Sequence, residues 1–287
     1  MSSAVPDSSV VTCCVVFNAG GWTAAGFSST DCNLLDLDAV RRRLSGRNTE
    51  RSLIFCAGIS RSQDDSAEAL KANLQMVSNV ARVMKQHPFK QIIFFSSADV
   101  YGSEPPLPIM ETTPTAPHTL YGAGKLAAEA LLMQELAPVP VTVLRMPGVY
   151  GSGDCQKSVI GRFVQQCQAA SRIQLRGNSQ LKRDYVPVTW VAEIVQRCLL
   201  RPGLGILNVA SGASLSLKEW ARLVAQALGV NSEIGETPLF DVTGARDLVF
   251  DIGKLTTLFP DLSIPSPKES ILAYVDSLCS LKGIRHG

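Results

Sequence analysis

In the stretch QIIFFSSADVYG, residues 91–102, a short apolar run is followed by two serines and, two residues later, by an acidic residue. Such a run is typical of a buried strand in a parallel sheet, because helices cover both faces of that sheet. The segment SLIFCAG (52–58) has the same character, and apolar residues recur at helical spacing between Ser66 and Gln86. A strand, a helix and a second strand in this order predict a parallel pair joined by a crossover helix.

The same alternation continues along the chain. A helix is predicted from about Leu120 to Leu136, and a strand over VTVLRMPGVYG (141–151). Together these segments predict an α/β fold with a doubly wound parallel sheet and helices on both faces. After this point the strands become short, which indicates a smaller second lobe. Its predicted helices lie near 158–170, 189–200 and 215–228.

The composition is that of a globular protein with balanced charge. The chain has 287 residues, 46% of them hydrophobic, and a net charge of +2 from 27 basic and 25 acidic residues. A chain of this length can bury one large core, or a core and a smaller lobe. The mixed charges form no basic footprint for nucleic acid, so a small neutral or anionic ligand is the expected partner.

The cysteines and the N-terminal region bear on the cellular location. Eight cysteines are scattered without a CxxC pair, which is typical of reduced core residues, and we expect no metal site. The first basic residue is Arg41, so the apolar stretch VVTCCVVF lacks the charged start of a signal peptide. No apolar run has the length of a membrane span. These features predict a cytoplasmic protein that does not act at a membrane.

Three strands of the predicted sheet end in segments that could form a ligand site. These segments are AGIS, SSADVYG and MPGVYG. In a doubly wound sheet the ligand crevice lies at the carboxyl ends of the strands, so we expect all three segments to face one cleft.

Tyr121 and Lys125 are four residues apart at the start of a predicted helix, which places both side chains on one face. A nearby ammonium favours the phenolate and lowers a phenol pKa from about 10 toward neutrality, so the tyrosine could exchange a proton during carbonyl–alcohol interconversion. Ser97, at the strand end, could donate a hydrogen bond to the same substrate oxygen. The spacing also arises by chance, but its place between two strand ends favours a hydride-transfer site.

Several motifs occur in the order typical of one family. They are NLLDLDAVRRRL, FCAGIS, KANLQM, SSADVYG, YGAGK, LRMPGVYGSGD, LRGNSQLKRDYVPV and NVASGASLSLKEWARLVAQALG. In these motifs residues 31–280 resemble the extended short-chain dehydrogenase/reductases, also called the NAD-dependent epimerase/dehydratase family of nucleotide-sugar enzymes. The resemblance implies a Rossmann-like dinucleotide-binding domain over residues 1–155. It also implies a smaller substrate-binding lobe over residues 156–287, with some elements that return to the first domain.

The resemblance implies roles for individual residues. Ser97, Tyr121 and Lys125 match the catalytic triad, with Tyr121 as the acid/base and Lys125 as the residue that holds the nicotinamide ribose. The implied cofactor is NAD or NADP. Further residues that match its binding site are Ala57, Gly58, Asn73 and Pro147.

The implied substrate is a nucleotide-activated sugar. Arg183 matches the arginine that meets the diphosphate, a contact that suits a guanidinium fork, and its alternative is a surface ion pair with Asp184. Family members that dehydrate their substrate carry two carboxylates at this place, whereas this chain has only Asp99. Dehydration needs both a base and an acid, so this reaction is disfavoured. Asp99 could be a base beside a keto group or a solvated carboxylate at the strand end. Gly148 stands where many members carry a substrate-binding asparagine.

The N-terminal region departs from the family pattern. Gly20, Thr23 and Gly26 imitate Gly-x-x-Gly-x-x-Gly without the middle glycine, although glycine there lets the backbone approach a pyrophosphate at a helix N-terminus. Either this stretch is a degenerate phosphate loop that has lost its helix, or WTAAGF is the second strand and the loop is missing. In both cases the adenosine part of the cofactor pocket is reduced, and NAD and NADP are not distinguishable.

These features lead to hypotheses of two classes. The first is an NAD(P)-dependent 4-ketoreductase or epimerase that transfers a hydride at a ring carbon of a nucleotide sugar. The alternative is a catalytically impaired family member that acts as a ligand-binding or partner protein. The family's usual dimer packs the helix that bears Tyr121 and Lys125, and residues 125–136 offer small and apolar side chains for such a homodimer.

Overall fold

The computed structural model describes residues 14–18, 23–46, 48–154, 158–170, 172–237 and 247–281. The strands in these ranges are β1 (Cys14–Asn18), β2 (Thr23–Phe27), β3 (Asn48–Phe55), β4 (Phe89–Ser97), β5 (Val141–Met146), β6 (Gly148–Tyr150), β7 (Arg172–Arg176), β8 (Lys182–Arg183), β9 (Tyr185–Pro187), β10 (Gly205–Asn208), β11 (Leu215–Ser216) and β12 (Glu233–Thr237). The helices are α1 (Leu37–Leu44), α2 (Ala67–Gln86), α3 (Leu120–Glu135), α4 (Val159–Ala170), α5 (Val188–Leu200), α6 (Leu217–Ala227), α7 (Gly253–Leu258) and α8 (Pro267–Leu281). A short 3-10 helix, Ala98–Tyr101, follows β4.

The observed elements confirm the predicted alternation of strands and helices. β3 and β4 pair in parallel, with Leu53 opposite Ile92, and α2 lies between them in the sequence. The predicted strand over 141–151 is divided into β5 and β6 at Pro147, since proline has no N–H to donate to a sheet ladder. The three helices predicted in the second half of the chain correspond to α4, α5 and α6.

The central sheet has six strands in the order β10-β5-β4-β3-β1-β2. Its α/β architecture with a parallel centre is the predicted one, but its edge is antiparallel. β1 runs antiparallel to β2 and to β3, with Val16 opposite both Ala25 and Leu53. Only residues 19–22 separate β1 from β2, whereas a parallel connection needs a dozen residues or more. The first two strands therefore form a hairpin at the edge of the sheet.

The chain forms two compact units that interleave along the sequence. The first unit contains the described residues up to Ser96, Thr119–Val143 and Arg201–Gly205. The second contains Ser97–His118, Leu144–Leu200 and the described residues from Ile206 onward. The predicted domain limit near residue 155 lies in the range of the second unit. Three of the five unit limits fall inside β4, β5 and β10, one lies just before α3, and one lies at the end of α5.

In the first unit, close packing joins α2 to α3. A Cβ atom at Gly124 of α3 would lie only 2.7 Å from Cδ1 of Leu70 in α2, so glycine allows the two helices to approach. The buried Asn79 of α2 donates from Nδ2 to the carbonyls of Leu34 and Leu35, at 2.9 and 3.0 Å. The Asn79 amide thus holds the segment before α1 in place, and its own buried donor group is paired.

In the second unit, aromatic rings form the centre of the core. Trp220 of α6 is fully buried. The centre of its ring lies 5.3 Å from the centre of the Tyr185 ring and 6.4 Å from that of the Tyr150 ring, in the edge-to-face arrangement that aromatic pairs prefer. Its Nε1 donates to the Arg183 carbonyl at 2.9 Å. A capping box of Ser216 and Glu219 begins α6. The core of this unit therefore fixes the backbone of β8.

Four cysteines have free thiols: Cys32, Cys56, Cys167 and Cys198. All four are at least half-buried, as is typical of cysteines that serve as small core residues.

Within the described ranges, none of the helices is long and apolar enough to cross a membrane.

Gly102, directly after the 3-10 helix, provides a test of the backbone in the SSADVYG motif. Its φ is 87°, a backbone conformation that residues with a side chain rarely adopt. A Cβ atom at this position would lie 2.1 Å from the Ala116 carbonyl oxygen. We expect Gly102→Ala to lower the free energy of unfolding by about 3 kcal/mol or more, because strain and steric overlap add. Urea denaturation measures this loss.

Gly153→Ala is the matched control for this substitution. Gly153 has a φ of 89°, but a Cβ atom there meets nothing within 4 Å. We therefore expect only the cost of the backbone conformation, about 1–2 kcal/mol. Equal losses for the two variants would contradict the close approach of Gly102 to Ala116.

Candidate active site

Two hydrogen bonds fix the first turn of α3, which carries Tyr121. Thr119 is the N-cap, and its Oγ1 accepts a hydrogen bond from the Gly122 N–H at 3.0 Å. The Asp65 carboxylate accepts from the Tyr121 N–H at 2.7 Å. Both contacts satisfy helix N–H groups that have no partner within the helix, and a carboxylate at this end is favoured by the helix dipole. The half-buried Tyr121 therefore stands on an anchored backbone.

Lys125 lies one helical turn after Tyr121 and is only 9% exposed. Its Nζ donates a hydrogen bond to the Phe95 carbonyl of β4 at 2.7 Å. The same atom lies 4.8 Å from the centre of the Phe94 ring and 5.8 Å from the centre of the Tyr121 ring. The structure thus places the ammonium beside the phenol on one helix face, which is the arrangement that the four-residue spacing predicts.

Burial controls the protonation of Lys125. It lowers the pKa of Lys125 to about 8, because the ammonium loses its hydration. Cys56 and Glu129 oppose this effect electrostatically and favour the charged form. Lys125 therefore carries a positive charge at neutral pH and loses it in mildly alkaline solution.

Gly58 and Asn73 adjoin Lys125 in the first unit. Asn73 Oδ1 accepts from the Ile59 N–H at 2.7 Å, and its Nδ2 donates to the Ile59 carbonyl at 3.0 Å. A Cβ atom on Gly58 would lie 3.4 Å from Asn73 Oδ1 and 3.6 Å from Lys125 Nζ. The structure thus brings Gly58, Asn73, Lys125 and Tyr121 together, and the buried Ala57 precedes Gly58.

Ser97 and Asp99 belong to the second unit. Ser97 ends β4 and caps the 3-10 helix, where its Oγ accepts a hydrogen bond from the Asp99 N–H at 3.1 Å. This bond uses the hydroxyl as an acceptor, so its O–H can still donate to a ligand. Both side chains are half-buried. Asp99 lies within electrostatic range of Arg183.

Arg183, in β8, is held by its neighbours rather than by Asp184. Its Nη1 donates to the Lys182 carbonyl at 2.7 Å. Burial lowers the pKa of Arg183, and the nearby acidic groups, Asp99 among them, act in the opposite direction. The buried Asp184 carboxylate instead accepts hydrogen bonds from Ser211 and Gly212. Asp184 therefore secures a turn, which argues against the surface ion pair considered for Arg183.

Gly148 leaves room for an aromatic ring. It lies opposite Tyr185 in the parallel pair of β6 and β9, and a Cβ atom there would lie 2.2 Å from Tyr185 Cδ1. Burial raises the pKa of Tyr185 to about 12. The half-buried Pro147 joins β5 to β6 directly before this glycine. The Tyr185 ring thus occupies the space that a side chain at position 148 would need.

The structure corrects the predicted glycine loop. Gly26 lies inside β2, opposite Val15, and not in a turn before a helix, while Gly20 lies outside the described residues. Thr23–Phe27 is a strand, which agrees with the second of the two alternatives. The end of β1, at Asn18, pairs with Arg51 near the start of β3, whereas Gly58 follows the end of β3. The hairpin connection is too short for a crossover helix, and this explains the difference.

Three residues of the site were missed by sequence reasoning. Asp65 binds the Tyr121 N–H, and Cys56 and Glu129 act on the charge of Lys125. Glu129 follows Lys125 by four residues, a helical spacing that could have drawn attention to it. The other two come from segments distant in sequence, and no local pattern reveals their contacts.

Three comparisons relate the chain to known proteins. Residues 15–210 match the model of a family described as the NAD dependent epimerase/dehydratase family. Probable UDP-arabinose 4-epimerase 3 of Arabidopsis thaliana is 26% identical over 234 residues, which cover 72% of this chain and 57% of that protein. The chain spans about half the length of such plant relatives.

Solved structures with the same fold hold nicotinamide cofactors. RMD from Pseudomonas aeruginosa, complexed with NADPH, has a TM-score of 0.76 and 25% identity, and the match covers 86% of this chain and 87% of that one. WbmG from Bordetella bronchiseptica, in complex with NAD and UDP, has a TM-score of 0.73 and 26% identity, with 88% and 79% covered.

The described residues fit one end of such a cofactor better than the other. The bare backbone of Gly58 beside the Lys125 ammonium suits a nicotinamide ribose, because no side chain blocks the approach and a cation can bind hydroxyl oxygens. A pyrophosphate usually lies at a helix N-terminus after a glycine-rich turn. In the described residues β1 is followed by an antiparallel strand, so no such helix begins there.

The depressed pKa of Lys125 predicts a pH-dependent stability. Between about pH 8 and pH 10.5 the unfolded chain keeps the lysine proton, whereas the folded chain has lost it, so the free energy of unfolding rises with pH in this window. The expected gain is on the order of 3 kcal/mol. Urea denaturation at several pH values, on the native protein and on Lys125→Met, isolates the contribution of this side chain. Parallel pH curves for the two proteins would contradict the buried charge.

Proposed function

The chain belongs to the NAD-dependent epimerase/dehydratase family, and from this we propose that it transfers a hydride between NAD(P) and a ring carbon of a nucleotide-activated sugar. The reaction would be that of a 4-ketoreductase or an epimerase. The names of the relatives support this choice, since they include UDP-arabinose 4-epimerases and a UDP-glucose 4-epimerase. The bound UDP in WbmG supports a nucleotide as part of the substrate.

One observation carries the proposal: the buried Lys125 ammonium lies beside the Tyr121 ring and is anchored to the Phe95 carbonyl. A cation in this place favours the phenolate of Tyr121. Tyr121 can then take the proton of a sugar hydroxyl during oxidation and return it to the oxygen during reduction. NAD(P), when bound, supplies the acceptor and donor of the hydride. Ser97 donates a hydrogen bond to the reacting oxygen.

The residues of the second unit suit the nucleotide end of the substrate. Arg183 is half-buried and Trp220 binds its carbonyl, and the planar fork of guanidinium donors matches the oxygens of a diphosphate. Asp99 acts electrostatically on Arg183 and favours the charged guanidinium. Tyr185 fills the space that a side chain at position 148 would need, so the family's asparagine contact with the substrate has no equivalent there.

The N-terminal hairpin bears on the choice between the two reactions. An epimerase must retain its cofactor through oxidation and re-reduction, whereas a ketoreductase exchanges it in each turnover. Only residues 19–22 separate the antiparallel strands β1 and β2, which is too few for a helix whose N-terminus could bind the pyrophosphate, so weak and exchangeable binding is expected. This favours the 4-ketoreductase.

The same hairpin supports a second candidate from another class. A chain that keeps Tyr121 and Lys125 but binds the dinucleotide too weakly for turnover would act as a ligand-binding or partner protein. Its substrate-side residues would still bind a nucleotide sugar. The homodimer also stays a prediction: α3 presents the exposed side chains of Leu120 and Met133, at 41% and 44%, which a second copy could cover.

A cofactor titration separates the two candidates. Purified protein is titrated with NADH and with NADPH, and energy transfer from tryptophan to the nicotinamide is recorded. We expect binding of at least one cofactor at micromolar concentration, followed by turnover with 4-keto or 4-hydroxy nucleotide sugars in a substrate screen. Absence of binding up to millimolar concentration would contradict the enzyme and favour the ligand-binding protein.

Two variants of α3 make the turnover measurement specific. Tyr121→Phe removes the acid/base, so we expect a loss of about 100-fold or more in kcat with little change in NADH affinity. Glu135→Gln is the matched control, because this exposed carboxylate of the same helix pairs with Lys85 and leaves the site unchanged. Turnover that survives in Tyr121→Phe would contradict the assigned role of the phenol.

A further inference from the structure

Helix α3 carries a third ionisable side chain on the face that bears Tyr121 and Lys125. Glu129 follows Lys125 by one turn and is only 2% exposed. The hydroxyl of Ser96, itself 3% exposed, donates a hydrogen bond to the Glu129 carboxylate. The proposed reaction assigns no role to either residue.

A buried carboxylate needs a physical reason to be there. Removal of its charge from water costs several kcal/mol unless hydrogen bonds and an opposite charge compensate. Ser96 supplies the hydrogen bond, and the Lys125 ammonium supplies the charge. Glu135 on the same helix shows the ordinary case, since its side chain is 51% exposed and pairs with Lys85 at the surface.

The contacts of α3 with β4 form a pattern along the strand. Lys125 binds the backbone carbonyl of Phe95, and Glu129 binds the side chain of the next residue, Ser96. Ser97, the candidate donor to the substrate oxygen, follows directly. Two consecutive residues of β4 are therefore tied to the helix that carries Tyr121.

We propose that Glu129 is a positioning residue of the active site, which holds the end of β4 through Ser96 and stabilises the ammonium form of Lys125. The importance of this arrangement for catalysis rests on the proposed hydride transfer. The contacts themselves do not, and they are testable without cofactor or substrate.

Other groups around Lys125 define what Glu129 contributes. Tyr121 faces the ammonium from α3, Cys56 from the segment after β3, and the uncharged Asn73 adjoins Gly58 from α2. The Phe94 ring and Phe95 carbonyl face it from β4. Glu129 is thus the carboxylate in this set, and its loss would leave a buried cation with less compensation.

Glu129→Gln tests the electrostatic part, because glutamine keeps the shape and the acceptor for Ser96 but removes the charge. The pH dependence of Lys125 modification by an amine-reactive reagent, followed by peptide mass spectrometry, reports the titration of this lysine. We expect a midpoint near pH 8 in the native protein and a decrease of about 1 pH unit in Glu129→Gln. Glu129→Asp, which keeps the charge, should recover part of the decrease, and Glu135→Gln should have none.

Ser96→Ala tests the positioning part, because it removes the hydrogen bond and leaves both charges in place. We expect hydrogen exchange of the last amides of β4 to become at least several-fold faster in Ser96→Ala, and Ser96→Thr, which keeps a hydroxyl, to restore slow exchange. The midpoint of Lys125 should change little in either variant.

The outcomes separate this inference from the proposed function. An unchanged Lys125 midpoint in folded Glu129→Gln would overturn the electrostatic role, whatever the cofactor titration gives. Unchanged exchange at β4 in Ser96→Ala would overturn the positioning role, and this holds even if Glu129→Gln does not fold. A protein that binds no cofactor but gives both expected shifts would retain the inference about the site and lose the proposed reaction.

Discussion

The hydrogen bond from the buried Lys125 ammonium to the Phe95 carbonyl is the contact on which the arrangement of the candidate residues in the first unit depends. A buried ammonium must donate hydrogen bonds to offset the loss of its hydration, and a backbone carbonyl near the end of a strand is an acceptor in a fixed position. The bond sets the height of α3 against β4. Gly58, the Tyr121 ring and Glu129 then have defined places around the same nitrogen.

Hydrogen bonds hold the candidate residues in both units. In the first unit Asn73 fixes Ile59, and Asp65 fixes the backbone of Tyr121. In the second unit Trp220 donates from the aromatic core to the Arg183 carbonyl, and the Asp99 N–H donates to Ser97. Such bonds keep these segments in one arrangement, because a polar group left unpaired in the interior is costly.

The N-terminal hairpin bears on the proposed binding of a dinucleotide. The proposed acid/base pair lies on α3, and Lys125 binds the Phe95 carbonyl of β4. A pyrophosphate is usually bound at the N-terminus of a helix, whereas only residues 19–22 separate β1 from the antiparallel β2. The proposed proton transfer and the proposed cofactor binding therefore depend on different segments of the chain.

By itself the sequence determined β3, β4, α2 and α3 and the common face of Tyr121 and Lys125, because helical and strand periodicity are local properties. Only the tertiary structure decided the antiparallel direction of β1, the Tyr185 ring in the space beside Gly148, and the bond between Ser96 and Glu129. The residues of the last pair are 33 positions apart. Such contacts depend on how distant segments pack, and no periodicity within either segment encodes them.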